Sequence, residues 1–186
     1  MRRLILPVLI AIAAASHPSA AQTTSAYPLT LTLDAKAKAG ATTTISSVIS
    51  IRVDQPMPAF RRTKLVEALK FGGYPEFLKT LRGLAPIGSI KYDTREVELR
   101  YMQDEMTTAG RRLVLVADRP LFFLKREEDK KRAGYELTMV ELRFDASGAV
   151  TGTMTGAARV RPSPQGDGGV VLDDYAEAPV QLSGRP

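Results

Sequence analysis

Leu29, Leu31, Leu33, Ala35 and Ala37 alternate with Thr30, Thr32, Asp34, Lys36 and Lys38. This is the period-two pattern of a strand with one buried face. Beyond Gly40 a second such strand carries Ile45, Ile49, Ile51 and Val53. Burying both apolar faces on one side demands an odd loop. Ala39-Gly40-Ala41 then sets Leu29 opposite Ile51, Leu31 opposite Ile49 and Ala35 opposite Ile45. Pro56 and Pro58 end the strand, and the period changes. From Phe60 to Phe71, Leu65, Val66, Ala68 and Leu69 share one helical face opposite Lys64, Glu67 and Lys70. Gly72-Gly73 reads as a stop. A second short helix begins near Pro75, with Phe77, Leu78, Leu81 and Leu84 inside and Lys79 and Arg82 outside, and Pro86 closes it.

The rest reads as strands. Val97, Leu99 and Tyr101 alternate with Glu96, Glu98 and Arg100. Arg111 to Ala117 is almost continuously apolar, as in a strand covered on both faces. Leu121 to Leu124 continues the sheet after a bend at Asp118-Arg119-Pro120. Between Glu136 and Asp145, Leu137 and Met139 fall out of phase with Val140, Leu142 and Phe144, which predicts a bulge. Asp145-Ala146-Ser147-Gly148 is a turn into the alternating Val150 to Val160. Short strands near Val170 to Leu172 and Val180 to Leu182 finish the chain after the Gly- and Pro-rich Pro162 to Gly169. The expected class is α+β: a curved antiparallel sheet of about seven or eight strands with a two-helix insert after the second strand. A closed barrel is the alternative.

Composition narrows the chemistry. The chain has 186 residues, no Cys and one His. Thiol nucleophiles, thiolate metal sites and disulfides are therefore excluded. Arg2 and Arg3, the apolar Leu4 to Ala15 and the small residues from Ser16 to Ala21 have the layout of a secretory signal peptide. The apolar run is shorter than the ~20 residues of a spanning helix, which argues against an uncleaved anchor. Arg2-Arg3-Leu4-Ile5-Leu6 loosely resembles a twin-arginine signal without its flanking residues. Cleavage after Ala21 leaves residues 22–186 as one domain with a flexible lead-in at Gln22 to Ala26. It also removes His17, the only histidine. The expected mature chain is exported and has neither a Ser-His-Asp triad nor a His-bound zinc.

Several stretches taken together resemble a family of uncharacterised secreted bacterial proteins. They are Gly110-Arg111-Arg112-Leu113-Val114-Leu115-Val116-Ala117-Asp118-Arg119-Pro120, Leu65 to Gly73, Thr138 to Asp145, and Pro179-Val180-Gln181-Leu182. The resemblance implies a bacterial, exported, single-domain protein. It assigns no activity, and no site residue is carried over from it.

Charge supplies the first site candidates. Between Phe60 and Lys91 stand seven bases, Arg61, Arg62, Lys64, Lys70, Lys79, Arg82 and Lys91, against two acids, Glu67 and Glu76. The insert thus holds the chain's net positive charge beside a near-neutral sheet. Such a face suits an anionic surface or an acidic protein; the bland reading is a solvated helix face. No spacing matches a nucleic-acid recognition motif. Asp118 and Arg119, at the end of the apolar strand, can pair internally or line a site. Glu141 is expected to pair with Arg112 or Arg119 across the sheet, or to face water. Lys125 to Arg132, eight consecutive charges, reads as a solvated hairpin tip. Asp173-Asp174 and Gly166 to Gly169 lack calcium-loop spacing. No cofactor is expected. The leading expectation is a non-enzymatic exported domain that binds a partner or a small apolar ligand. An enzyme using carboxylates, Lys, Ser or Tyr, and a structural protein docking by its basic helices, are the alternatives.

Overall fold

A computed structural model describes residues 27–39, 43–124 and 133–185. The expected signal peptide at 1–21 and lead-in at 22–26, Gly40 and Ala41 of the expected loop, and the expected hairpin tip at 125–132 lie outside the described residues. The elements in order are β1 (Leu29–Ala39), β2 (Thr43–Val53), α1 (Ala59–Arg82), β3 (Gly88–Tyr92), β4 (Arg95–Thr107), β5 (Gly110–Ala117), β6 (Leu137–Phe144), β7 (Val150–Pro162), β8 (Val170–Tyr175) and β9 (Val180–Arg185).

The alternation in β1 and β2 does what it predicts. Leu31, Leu33 and Ala35 are buried, as are Ile49, Ile51 and Val53, while Thr30, Thr32, Asp34 and Lys36 face solvent. The pairing is Leu29 with Val53, Leu31 with Ile51 and Ala37 with Ile45. That register is two residues removed from the expected one, because the strands close at Ala39 and Thr43. Burial fixes which face a residue takes. A shift of two keeps every face, so only the turn could choose between the registers.

The open curved sheet is corrected to its alternative. Every neighbour pair from β1 to β7 is antiparallel, β7 pairs with β9, and β9 returns to β1, so the sheet closes into an eight-stranded barrel. Closure removes the edges that a curved sheet would leave around its circumference. β8 continues along the same edge of β7 that β9 occupies, beside Ala158–Pro162 rather than Val150–Met154. The inward face is filled. Leu31, Leu33, Ile49, Ile51, Ile90, Leu99, Leu113 and Leu142 keep no surface that water can reach, and Ala35 and Ala117 fit among them. An eight-stranded barrel is just narrow enough for its own side chains to fill it.

The insert is one element with a break inside it. Gly73 takes φ 70° and ψ −170°, and Pro75 follows two residues later. Gly makes that left-handed φ cheap, so the expected pair of helices runs on through a kink without a loop. α1 lies against β4 and β7. It buries Leu65, Val66, Leu69, Phe77, Leu78 and Leu81. By alternation Tyr101, Val114, Val116 and Met139 point outward from the barrel, yet all are buried. Gly169 lies on the Gln103 side chain and Val170 meets the Tyr101 hydroxyl, so the Ser163 to Val170 segment and α1 together roof this part of the wall, in keeping with the continuously apolar β5.

Two strand assignments change. β3 is short and carries Ser89 and Lys91 beside Ile90, too little periodicity to register in the sequence. Leu121 to Leu124 is not a strand. It is stitched to the wall by Leu121 N–H donating to Gly156 O at 2.8 Å and by the Phe123 and Leu124 N–H groups donating to the buried Glu177 carboxylate. A Cβ on Gly156 would lie 2.2 Å from Leu121 O, so only glycine permits this approach. The expected bulge is present. The β6–β7 register shifts between Leu137 and Met139, opposite Thr155 and Ala158.

Candidate functional site

The first segment of α1 has two faces. Leu65, Val66 and Leu69 turn into the core. Phe60, Lys64, Glu67 and Phe71 are spaced at i, i+4, i+7 and i+11 and fall together on the opposite side. All four are exposed, Phe60 by 70% and Phe71 by 87%. Eleven residues of helix rise about 16 Å, so the two rings stand well apart on one line. Arg61 and Lys70 flank the stripe, and the Arg61 guanidinium lies 5.8 Å from the centre of the Phe60 ring. Arg62, half-buried, turns from the stripe toward the core side. The chain here has spent two large apolar side chains on water contact.

The sequence-predicted residues do not converge on one place. Arg61, Lys64 and Lys70 stand along the exposed stripe. Beyond the kink, Lys79 Nζ lies 3.5 Å from Glu76, its i−3 neighbour on the helix, and the Arg82 side chain is exposed. Asp118 is buried against Arg100, with Nε and Oδ2 2.9 Å apart, while Arg119 is largely exposed 3.7 Å from the other carboxylate oxygen. Arg100 Nε and Asp118 Oδ1 make no hydrogen bond among the described residues, so charge rather than alignment holds this pair. The other nitrogens of Arg100 reach the carbonyls of Arg82 and Leu84 and the Glu98 carboxylate. Arg119 lines an open cleft of about 420 Å³ with Arg52, Asp54, Glu96 and Glu98. Bases and acids are mixed there, so the cleft favours neither sign of ligand.

Glu141 does pair with Arg112, at 3.1 Å, and also with Arg143 at 3.2 Å. Arg112 Nη1 reaches Glu105 at 2.8 Å on the other side. The outward face of β4, β5 and β6 therefore carries a ladder of alternating charge. Burial alone would raise the Glu141 carboxyl, but hydrogen bonds from Arg112 and Arg143 outweigh it and hold the group below its ordinary value. Burial would likewise lower Arg112, and its bonds to Glu141 and Glu105 raise it instead.

A second ion pair, which the sequence reading missed, sits on the inward side of the wall. Arg111 grips Asp104 with Nε and Nη2, each at 2.8 Å, and the Tyr27 hydroxyl donates to Asp104 Oδ2 at 2.6 Å. Arg111 also lies over the Phe144 ring at 5.0 Å. Burial opposes the Asp104 charge, and the Arg111 fork and the Tyr27 hydroxyl overcome it, so its carboxyl is held low. Burial pushes the Tyr27, Tyr74 and Tyr101 phenols upward. All these shifts run away from neutrality. Such groups hold fixed charge or hydrogen bonds and are badly placed to exchange protons near pH 7.

Asp104 was hidden by the register shift between Leu99 and Tyr101, which turns Arg100 and Tyr101 to one side and brings Met102 and Asp104 inward. Phe60 and Phe71 were in plain view as the ends of a helical segment. Their spacing of eleven is the signal that marks them as one face.

Among the described residues no group of three or more metal-binding side chains gathers, and no helix is long and apolar enough to cross a membrane. Compared with protein-family models, curated proteins and solved structures, the chain matches none.

Proposed function

We propose that this is a non-enzymatic, exported binding domain that docks on an anionic membrane surface through the first segment of α1. The observation that carries the reading is the exposed stripe of Phe60, Lys64, Glu67 and Phe71 flanked by Arg61 and Lys70. Rings at both ends enter the headgroup boundary, and the bases between and beside them meet lipid phosphates. Each base near such a surface contributes about 1 kcal/mol, and the attraction falls off within a Debye length. The filled barrel supports a scaffold role, with no chamber for a small apolar ligand against its central leucines and isoleucines.

The test is co-sedimentation with vesicles of phosphatidylglycerol or phosphatidylcholine. Binding to the anionic vesicles is expected at about 0.15 M salt and should be lost near 1 M. It should fall at least tenfold in Lys64→Glu/Lys70→Glu and in Phe60→Ala/Phe71→Ala. Equal binding to both lipids, salt-insensitive binding or none at all would reject the reading; capture by an acidic protein without vesicle binding would move the face to a protein partner.

A further inference from the structure

The barrel does not use the whole of β2. β3 pairs only with Ile49 to Val53, leaving Thr43 to Val48 bonded to β1 on one side and open on the other. Which backbone groups face the open side follows from the next residues along. Asp54 N–H donates to Ile87 O across the β3 side. Stepping back by twos, Thr44, Ser46 and Val48 aim their N–H and C=O groups the same way. No described residue meets them there.

Edges of this kind are templates for another strand, and proteins usually guard them with charge or proline. Two other open edges among the described residues are guarded. β8 carries Asp173 and Asp174, and Asp173 lies near both Arg159 and Arg161. β4 beyond Leu99 carries Asp104 and Glu105, and Met57 Sδ accepts the Met102 N–H on its free side. Thr43-Thr44-Ile45-Ser46-Ser47-Val48 has neither charge nor proline, is rich in β-branched residues, and exposes Ile45 and Val48.

We infer that this edge pairs with the same edge of a second copy, antiparallel about a two-fold axis at Ser46. A two-fold axis makes one neutral edge its own complement, and such isologous dimers are the commonest assembly. Centred there, Ser46 faces Ser46 of the other copy and Thr44 faces its Val48, each a narrow pair that exchanges two hydrogen bonds. The flanking charges agree with this register. Lys38 lies beside Thr44 and Asp34 beside Val48 on β1, so each Lys38 shares a row with an Asp34 of the other copy, three strand spacings away and therefore only weakly attracted. The like pair, Lys36 with Lys36, stands three strand spacings apart, about 14 Å. That exceeds the Debye length of about 8 Å at physiological salt, so the axis carries no repulsion. Thr44 also borders an open pocket of about 320 Å³ with Lys36, Lys38 and Leu124, so an added peptide is the competing occupant that the test has to separate.

Because the chain has no Cys, a single introduced thiol reports on the axis without background. Narrow antiparallel partners have Cα atoms about 5.5 Å apart, within disulfide range. In sedimentation velocity the wild-type protein is expected at twice the chain mass. Ser46→Cys should cross-link on oxidation, and Ser183→Cys, on the exposed face of β9, should not. Ser46→Pro costs no bond to β1, since this N–H points outward, and should give a monomer with unchanged circular dichroism. Val48→Lys should also give a monomer and covers the case in which proline disturbs the strand. A wild-type monomer at all concentrations, a monomer that gains a strand only from an added peptide, or a dimer that survives both edge variants overturns the inference. So does a dimer lost only in Phe60→Ala/Phe71→Ala.

Discussion

β1 and β5 belong to the same barrel wall, but β1 buries every second residue and β5 buries the unbroken run from Leu113 to Ala117. The inward halves of the two strands are alike. The difference is outside: β1 faces water, and β5 lies in the part roofed by α1 and the Ser163 to Val170 segment. Charge follows the same division. On β2, Arg52 and the following Asp54 form an ion pair with both side chains about half exposed or more. On the roofed side, Arg112 is only 15% exposed and bridges two carboxylates. A closed barrel thus has one inward core everywhere and a second core only where its outer face is roofed. The helix that contributes to this second core also displays the most exposed aromatic rings among the described residues.

The sharpest way to break the comparison uses one residue type on one helix. Phe77 is fully buried, and Phe71, six residues earlier, is 87% exposed. Phe77→Ala should cost about 4 kcal/mol in urea unfolding, from lost burial and the cavity left behind. Phe71→Ala should change stability by less than about 0.5 kcal/mol, as expected of a surface site. If the two losses are similar, α1 does not divide into a packing face and a solvent-exposed face.

The strand faces were largely legible because polar alternation is a direct record of which side is wet. Leu29 to Ala37 shows it, and the continuous run at Arg111 to Ala117 announces the roof as well. The pairing register was less legible. Leu31 can face Ile49 or Ile51 with the same side buried, and local turn geometry decides. Barrel closure lay deeper still, since it depends on β9 bonding to both β1 and β7, and nothing in Val180 to Leu182 records two partners. Of the candidate residues, Glu141 met its expected partner Arg112 because the two strands are adjacent. Asp118 met Arg100, which belongs to β4, and Arg119 reached neither Glu141 nor a common site. Spatial convergence is a property of topology, and residue type alone does not carry it.

The two ion-pair settings give a second, smaller contrast. Arg112→Met leaves Glu105 and Glu141 without their shared partner in a half-buried position. The expected cost is about 2 kcal/mol, below the full penalty for breaking a deeply buried pair because water still reaches the carboxylates. Arg52→Met on the open side should cost less than about 1 kcal/mol. Chemical denaturation of both variants at two salt concentrations checks this. The Arg52 effect should shrink with salt and the Arg112 effect should largely persist. Equal, salt-sensitive losses would mean that the roof gives the Arg112 ladder no shelter.

The smallest expected effect is in pH. The carboxyls of Glu141 and Asp104 are held below their ordinary values in the folded protein, against the pull of burial, by their arginine partners and, for Asp104, the Tyr27 hydroxyl. The sign follows from linkage. In the unfolded chain these groups take up protons near pH 4, while the folded protein keeps them ionised further down. Their contribution is therefore complete above about pH 5 and drains away as pH falls through 4 toward the lower folded values. Glu141→Gln and Asp104→Asn remove the ionised form at every pH. Each should lower the urea midpoint at pH 7, by less than Arg112→Met does, and the gap to wild type should narrow steadily below about pH 4 as the wild-type carboxyl is neutralised too. A gap that stays constant to pH 3 would mean that the carboxyl's shape, rather than its charge, holds these parts of the wall together.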